Sequence, residues 1–153
     1  MIRKAEKKDS LRLIELLYQV DILHQNIRPD LFKENIQVVD KDKIETIFDD
    51  DLKPIFVYDE GIIYGYILCQ IIEHRNHRLL QDVKTLSIDN IGVDETFRGQ
   101  HIGKALYEFV RDYAKSIGCY NITLNVWEGN APALFFYKNM GMQVQKTVME
   151  TIL

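Results

Sequence analysis

The stretch VDETFRGQHIGKAL, residues 93–106, predicts more about the fold than any other part of the chain. Its centre, from Arg98 to Lys104, is a polar turn that carries Gly99 and Gly103 and leads into a helical hydrophobic pattern. The first turn of a helix offers unpaired backbone N–H groups and the positive end of the helix dipole, and glycines let a ligand approach that backbone. The turn is therefore typical of a phosphate-binding site, although its spacing matches neither a P-loop nor a GxGxxG dinucleotide motif.

The strand predicted before this turn, residues 83–93, changes the face on which its apolar side chains lie. These residues follow one alternating phase up to Ile88 and the opposite phase from Ile91 onward. One inserted residue shifts the phase of a strand, so we predict a β-bulge at Asp89 and Asn90. Such a bulge would splay this strand from its neighbour and open a cleft.

The chain beyond the turn predicts alternating helices and strands. If the first of these helices is a crossover, the strands on its two sides are parallel. The predicted elements are a helix over residues 102–117 that ends at Gly118, a strand at 121–127, a helix at 130–140 that ends at Gly141, and a last strand at 143–152.

The first half of the chain predicts helices followed by a hairpin. Pro29 disfavours helix at Arg28, so we expect a break there between two short helical pieces. The predicted elements are a strand at residues 2–5, a helix capped by Asp9 or Ser10, the two helical pieces within 23–35, an acidic helix at 42–51, and hairpin strands at 55–58 and 62–72 followed by an exposed loop at 73–81.

Composition narrows the range of functions. The 153 residues carry 19 Lys plus Arg and 23 Asp plus Glu, a formal net charge of −4, so we expect one domain over residues 1–153 without a basic face for nucleic acid. The first ten residues lack the apolar core of a signal peptide, and no apolar run reaches the roughly 20 residues of a membrane span, so we expect a cytoplasmic protein. Cys69 and Cys119 have no partners at metal-ligand spacing, which predicts buried reduced thiols and no metal site.

The turn resembles a motif of one protein family. Residues 93–106, with Arg98-x-x-His101-x-Gly103, are similar to the acetyl-CoA-binding motif Gln/Arg-x-x-Gly-x-Gly/Ala of the GCN5-related N-acetyltransferase (GNAT) family. The sequence departs from that pattern at His101, where the family usually has glycine. We expect a helical backbone conformation at this position, which histidine can adopt.

A second motif lies at the expected distance downstream. Residues 130–142, with Asn130, Ala133, Phe136 and Tyr137, resemble the later motif of the GNAT family, in which an asparagine contacts the cofactor and a tyrosine faces its sulfur. The resemblance covers the chain strongly from residue 91 to 142 and weakly before that. It implies a mixed α/β (α+β) fold, with a central twisted, mostly antiparallel sheet, two splayed parallel strands at 83–93 and 121–127, and flanking helices.

The resemblance implies an acetyl-CoA-dependent N-acetyltransferase, in which a primary amine of a small molecule or protein attacks the thioester directly. Tyr137 would be the general acid, Asp89 or a water held by Asn90 the base, and the backbone N–H of Val93 the donor to the thioester oxygen. A homodimer is also consistent with the family. The acetyl-CoA-binding residues that the resemblance implies are Ile91, Val93, Arg98, Gly99, Gln100, His101, Ile102, Gly103, Lys104, Asn130, Ala133 and Phe136.

Several alternatives remain open at this stage. The domain could bind acetyl-CoA as a sensor without transferring the acetyl group, or use another acyl donor such as succinyl- or propionyl-CoA. His24 and Arg28 lie four residues apart and could line an acceptor pocket or an exposed helix face. The acidic residues 49–51 could attract a cationic acceptor such as a polyamine or form a solvated surface.

Overall fold

The computed structural model of the protein describes residues 1–34 and 39–153. Its regular elements follow the hydrophobic periodicity of the sequence closely. The strands are β1 (Ile2–Lys4), β2 (Ile55–Asp59), β3 (Ile63–His74), β4 (Val83–Val93) and β5 (Asn121–Leu124), and the helices are α1 (Ser10–Ile27), α2 (Lys41–Phe48), α3 (Ile102–Ser116) and α4 (Ala131–Asn139).

The five strands form one sheet in the order β1-β2-β3-β4-β5. Neighbouring strands are antiparallel except for the parallel pair β4 and β5, which α3 connects as a crossover. The hairpin of β2 and β3 and the parallel pair are both as predicted. This five-stranded, mostly antiparallel sheet with flanking helices confirms the predicted mixed α+β fold class.

Helices cover both faces of the sheet. On one face Leu13 of α1 and Ile44 of α2 pack on Val57 of β2. On the other face α3 buries the stripe Ile102, Leu106, Val110 and Ala114, whose spacing of four residues follows the helical repeat. Burial of one such aliphatic side chain stabilises the fold by about 1.5–3 kcal/mol. Within residues 1–34 and 39–153, no helix is long and apolar enough to cross a bilayer.

Helix α1 differs from its prediction in length. Asp9 occupies its N-cap position, but its carboxylate binds Arg3 and the Glu6 N–H and caps no N–H of this helix. The helix continues to Ile27, and residues 28–34 form turns without a second helical piece. The restriction that Pro29 imposes falls on Arg28, which already lies outside the helix with φ −133°. The predicted break is therefore the end of one long helix, and residue 35 lies outside the described residues.

The prediction for the last part of the chain is also wrong. Strand β5 ends at Leu124 and not at residue 127, and residues 143–152 form no strand within the described chain. Alternating hydrophobicity favours a strand, but a strand forms only where a neighbouring backbone pairs with it. No described strand pairs with residues 143–152.

Candidate active site

A cleft opens where β4 and β5 separate. The two strands pair over residues 85–88 and 121–124, and their last pair joins Ile88 to Leu124. Beyond this pair β4 continues to Val93, whereas β5 has ended. The backbone of β4 is therefore free of a neighbouring strand on this side, which leaves its N–H and C=O groups available to a ligand.

The bulge lies at the level where the two strands separate. On the β3 side the register changes from Cys69 opposite Ile88 to Leu68 opposite Asn90. Asp89 is the extra residue without a partner, which confirms the predicted bulge. Because a bulge bends and twists its strand, it accounts for the divergence of β4 from β5 at this point.

A buried tyrosine supports the floor of the cleft beside the bulge. Tyr66 of β3 is completely buried, and its hydroxyl donates a hydrogen bond to Asn90 Oδ1 at 2.6 Å. Its ring lies against the backbone of Gly92, where a Cβ atom would stand only 2.7 Å from Tyr66 Cε1. Gly92 thus permits the close approach that places the Tyr66 hydroxyl at the bulge.

The ionisable groups around the cleft hold their protons more tightly than usual. Burial raises the pKa of Tyr66 well above its ordinary value, and the nearby Asp21 and Tyr137 raise it further. Burial also raises the pKa of Asp21. Partial desolvation of the carboxylate raises the pKa of Asp89, against a weak hydrogen bond from Ser87 Oγ at 3.4 Å and the charge of Lys53, and the residue as a whole is exposed.

The N-terminus of α3 begins beside the end of β4. Ala105 makes the first helical hydrogen bond, from its N–H to the carbonyl of His101 at 3.0 Å, so the preceding N–H groups of the turn are free of helical partners. Gly99 has φ +80°, and His101 has φ 60° and ψ 18°. The expectation of a right-handed helical conformation at His101 is therefore wrong. The left-handed conformation found here explains why glycine suits this position, since a Cβ atom strains it.

The long side chains of the turn bind locally. Arg98 Nε donates a hydrogen bond to the carbonyl of Val93 at 3.2 Å, which closes the turn back onto the end of β4. Lys104 Nζ lies 4.0 Å from a carboxylate oxygen of Glu108, one helical turn away. Both cations are exposed and lie next to the free N–H groups at the start of α3.

Helix α4 brings the second motif to the same place. Asn130 caps this helix, since its side-chain oxygen accepts a hydrogen bond from the Ala133 N–H at 3.3 Å. A Cβ atom on Gly103 would lie 3.6 Å from Phe136 Cζ, so the start of α3 packs directly beside α4. Tyr137 is 9% exposed, and burial raises its pKa to about 12. Its hydroxyl therefore keeps its proton at neutral pH.

An aromatic wall lies at the C-terminal end of α1. Asp21 and His24 lie one turn apart on one face of α1, and Arg28 follows at the C-cap of the helix. Phe32 stacks on His24 with ring centroids 5.4 Å apart and meets the edge of Trp127 at 5.6 Å. The Arg28 guanidinium lies 5.7 Å from the centre of the Trp127 ring. We call His24, Arg28, Phe32 and Trp127 the aromatic wall.

Arg28 is already paired on both sides. Its Nε and Nη2 donate to the two carboxylate oxygens of Asp30 at 2.9 Å and 2.7 Å, and its Nη1 donates to Glu150. These two carboxylates occupy the fork with which an arginine ordinarily recognises a phosphate or carboxylate ligand. The wall therefore combines aromatic surface with the two carboxylates that pair with Arg28.

Comparison with known families agrees with this geometry. The model of the acetyltransferase (GNAT) family matches residues 20–142. The chain belongs to the GNAT acetyltransferase family. The matched range contains the bulge, the α3 turn, the second motif and the whole aromatic wall.

Solved structures extend the likeness to the whole GNAT fold. A mutant of the BH1408 protein from Bacillus halodurans is 30% identical, covers 100% of this chain and 99% of its own, and superposes with a TM-score of 0.95. Glucosamine-6-phosphate N-acetyltransferase from Arabidopsis thaliana is 28% identical over 99% of this chain and 97% of its own, with a TM-score of 0.72. An aminoglycoside N-acetyltransferase in complex with CoA shares only the fold, at 17% identity and a TM-score of 0.73 over 100% of this chain and 98% of its own.

The curated relatives match over shorter ranges. The Arabidopsis thaliana glucosamine 6-phosphate N-acetyltransferase is 40% identical over 55 residues, which are 36% of this chain and 35% of that protein. An uncharacterised N-acetyltransferase of Lactobacillus delbrueckii subsp. lactis is 30% identical over 91 residues, 57% of this chain and 49% of that protein. The chain thus matches about a third to a half of the length of these relatives.

The structure brings most of the predicted site residues together. Ile91 and Val93 lie on the open part of β4, residues 98–104 form the turn and first helical residues of α3, and residues 130–137 lie in the adjacent α4. The acidic residues 49–51 instead pair with the chain start, through Lys7 to Asp49 at 3.5 Å and Lys4 to Asp51 at 3.5 Å. Cys69 is buried as predicted, whereas Cys119 is only partly buried, and both are free thiols.

Three residues at or beside the cleft were not predicted from the sequence, namely Tyr66, Asp21 and Gly92. Tyr66 lies within an apolar run and has no distinguishing pattern, and Asp21 is one of many charged helix residues. Gly92 did carry a signal, since an isolated glycine inside a strand often marks a close approach of another group. Here that group is the ring of Tyr66.

Proposed function

We propose that this protein transfers the acetyl group of acetyl-CoA to a primary amine while both substrates are bound. The observation that supports this function best is the opening of the sheet beyond the Ile88–Leu124 pair, with the bulge on one side and Tyr137 buried nearby. An extended ligand that enters this opening would meet free β4 backbone along its length. The start of α3 lies at the end of the same opening, beside Val93.

The residues at the start of α3 fit the phosphate groups of acetyl-CoA. Free N–H groups and the helix dipole favour an anion there, and Arg98 and Lys104 add positive charge. A Cβ atom at Gly99 would meet no other atom within 4 Å, so the backbone of the turn is open on that side. Gly103 lies in the first turn of α3, where a Cβ atom would be in ordinary contact with Phe136 Cζ at 3.6 Å.

The transfer needs one proton removed and one supplied. The new bond joins the amine nitrogen to the carbonyl carbon, and the bond from that carbon to sulfur breaks. The amine loses one proton to a base, and the leaving thiolate takes up one proton from an acid. Tyr137 is the acid in this proposal, because burial keeps its hydroxyl protonated with a pKa of about 12. The backbone N–H of Val93 is the donor proposed for the thioester oxygen.

Asp89 is the base in this proposal, acting directly or through a water. Its raised pKa makes its carboxylate a stronger base than an ordinary aspartate, and the bulge places it at the opening. Asn90 accepts from Tyr66 through Oδ1, which leaves its amide nitrogen as the group that can hold a water. Asp21 and Tyr66 extend this polar group toward α1.

The aromatic wall favours an acceptor amine that carries a ring and no phosphate. Rings such as sugars pack on aromatic faces, and the carboxylates of Asp30 and Glu150 flank the wall and attract cations. A phosphate would have to displace one of these carboxylates from Arg28. We therefore propose an aminated ring compound of neutral or positive charge as the acceptor, in contrast to the glucosamine 6-phosphate of the Arabidopsis relatives.

A panel of acceptors tests the reaction and the acceptor class together. The purified protein is incubated with acetyl-CoA and glucosamine, glucosamine 6-phosphate, an aminoglycoside, spermidine or a peptide with a free N-terminus. Release of free CoA thiol and a gain of one acetyl group in the acceptor's mass report transfer. Tight acetyl-CoA binding without transfer to any member would contradict the enzyme proposal in favour of the sensor alternative. Propionyl- and succinyl-CoA in parallel reactions define the acyl preference.

Two variants with matched controls test the residue roles. Tyr137→Phe is expected to lower turnover about a hundredfold while acetyl-CoA affinity stays nearly the same, since loss of a general acid costs roughly 10²–10⁴-fold. Tyr107→Phe, another buried tyrosine, is its control. Asp89→Asn is expected to lower kcat/KM and remove the acidic limb of its pH profile, whereas Asp112→Asn on the exposed side of α3 leaves both unchanged. Full activity of Tyr137→Phe would exclude it as the acid.

A further inference from the structure

Asp21 is a half-buried carboxylate on the face of α1 that packs against the sheet. It lies seven residues after Ile14 and four after Leu17, both of which are buried, so the three side chains share one face of the helix. Ile14 and Leu17 belong to the same apolar cluster as Tyr66 of β3. The stripe of α1 that faces the sheet therefore changes from apolar to acidic at Asp21.

The Asp21 carboxylate lacks a cationic partner. Among the residues that the structure describes, it forms no ion pair with a lysine or arginine and accepts no hydrogen bond. The arginines nearest to it in the sequence, Arg12 and Arg28, each pair with other carboxylates. Burial raises the pKa of Asp21, and the charge of His24 opposes this increase. A carboxylate that is partly removed from water without a cation is costly, so Asp21 is available to a cation that a ligand brings.

Asp21 lies beside the proposed reaction centre. Both Asp21 and Tyr137 are close enough to Tyr66 to raise the pKa of its hydroxyl. Tyr66 donates its hydrogen to Asn90 at 2.6 Å, so this hydroxyl does not bind Asp21. Asp89, the proposed base, directly precedes Asn90 on the bulge. Two carboxylates therefore lie near one hydrogen bond, one on α1 and one on β4.

The positions of the two carboxylates predict different roles toward an amine. In the proposed function the thioester lies along β4, so the attacking amine is the one beside Asp89. This amine must lose its proton before it attacks. Asp21 lies on α1 instead, and a carboxylate close to an amine favours the charged form of that amine. An ammonium group held by Asp21 therefore keeps its proton and is not acetylated.

We propose that Asp21 binds a second ammonium group of the acceptor, so that the preferred acceptor is a ring compound with at least two amino groups. This assignment rests on the proposed function and narrows its acceptor class. One amine lies at the bulge and is acetylated, and the other pairs with Asp21 and stays charged. His24 of the aromatic wall follows Asp21 by one turn, so carboxylate and ring surface succeed each other along α1.

A matched pair of amines and one isosteric substitution test this assignment. Cyclohexylamine and 1,3-diaminocyclohexane differ by one amino group, and calorimetry with CoA in place of acetyl-CoA measures their binding without transfer. The native protein should bind the diamine about tenfold to a hundredfold more tightly, which is the contribution of one hydrogen bond between charged groups. Asp21→Asn should bind both amines about equally. Asp112→Asn, on the exposed side of α3, is the control and should keep the preference.

Turnover and stability separate binding from chemistry and from a structural role. With acetyl-CoA, Asp21→Asn should raise the KM for the diamine about tenfold or more and leave kcat nearly unchanged. Asp89→Asn should instead lower kcat with both amines. Without ligand, Asp21→Asn should unfold at the native temperature or above it, because the substitution removes a half-buried charge that has no partner.

Several results would overturn the assignment. A native protein that binds both amines equally, or binds neither, contradicts it, and so does a diamine preference that survives Asp21→Asn. Loss of kcat with cyclohexylamine in Asp21→Asn would make Asp21 the base, and a lower unfolding temperature would make it a structural residue. Absence of CoA release with every amine would refute the proposed transfer, whereas the binding preference, which needs no transfer, still decides the role of Asp21.

Discussion

Asp94 links helix α1 to the turn that precedes α3, and its replacement by asparagine tests how that link stabilises the fold. The carboxylate is buried and accepts hydrogen bonds from Arg12 Nη2 at 2.5 Å, from the Thr96 N–H at 2.8 Å and from Thr96 Oγ1 at 2.7 Å. Arg12 in turn donates from Nε to the carbonyl of Ile63 at 3.1 Å. One side chain therefore connects α1, β3 and the end of β4.

The size of the effect follows from the pKa of Asp94. Burial alone would raise this pKa, but the hydrogen bonds from Thr96 and Arg12 outweigh burial and lower it from 3.8 to about 2. A carboxyl with this change contributes about 2.4 kcal/mol to the free energy of unfolding at neutral pH. The folded state favours the charged form, so the contribution is complete above the unfolded pKa and is lost as pH falls through the folded pKa. About 1.3 kcal/mol should remain near pH 3.

Urea unfolding at pH 7 and near pH 3 measures this directly. Asp94→Asn should be about 2 kcal/mol less stable than the native protein at pH 7, and the gap should narrow by about 1 kcal/mol near pH 3. Asp112→Asn, at an exposed position, should show little difference at either pH. A gap for Asp94→Asn that stays constant as pH falls would refute the electrostatic explanation, since an uncharged contact does not depend on pH.

Three further substitutions test the backbone of the cleft. Gly92→Ala should destabilise by about 1–3 kcal/mol and lower transfer activity, because its Cβ would lie 2.7 Å from Tyr66 Cε1; thermal unfolding and turnover are the readouts, and unchanged values for both would contradict the close packing. His101→Gly should stabilise by about 0.5–1 kcal/mol in urea unfolding, since relief of the left-handed strain exceeds the entropy cost of glycine, and a loss of stability would argue against strain at φ 60°. Gly103→Glu should weaken acetyl-CoA binding, measured by calorimetry, at least about tenfold, because its negative charge repels the phosphates. Gly103→Ala is the control and should bind normally, since its Cβ has room at 3.6 Å from Phe136 Cζ. Equal binding by both variants would place the phosphates elsewhere.

Predictions from the sequence succeeded where a local pattern carries the information. The phase shift around Asp89 located the bulge correctly, because side-chain alternation along one strand depends only on that strand. The same holds for α3, whose predicted range of 102–117 agrees with Ile102–Ser116. The two sequence motifs also contain the residues through which α3 and α4 pack together, Gly103 and Phe136.

Predictions failed where the outcome depends on distant residues. Residues 143–152 alternate as well as β3 does, yet they form no strand in the single chain because pairing needs a second backbone. The continuation of α1 to Ile27 agrees with its packing, because the Ile27 side chain lies against Gly129, which is distant from it in the sequence. The conformation of His101 could not be read from its neighbours, because a turn between two anchored elements imposes it.

The sequence by itself determined the hairpin, the helix α3 between two parallel strands, the bulge, the two motifs and the family resemblance, because periodicity and motif spacing are properties of consecutive residues. Only the tertiary structure decided that the Tyr66 hydroxyl binds Asn90, that Arg28 is occupied by Asp30 and Glu150, and that the backbone of residues 143–153 bonds to no other described segment. Each of these contacts depends on groups that are far apart in the sequence and that only the folded chain brings together. Burial and hydrogen bonding of such groups are set by the packing of the whole chain.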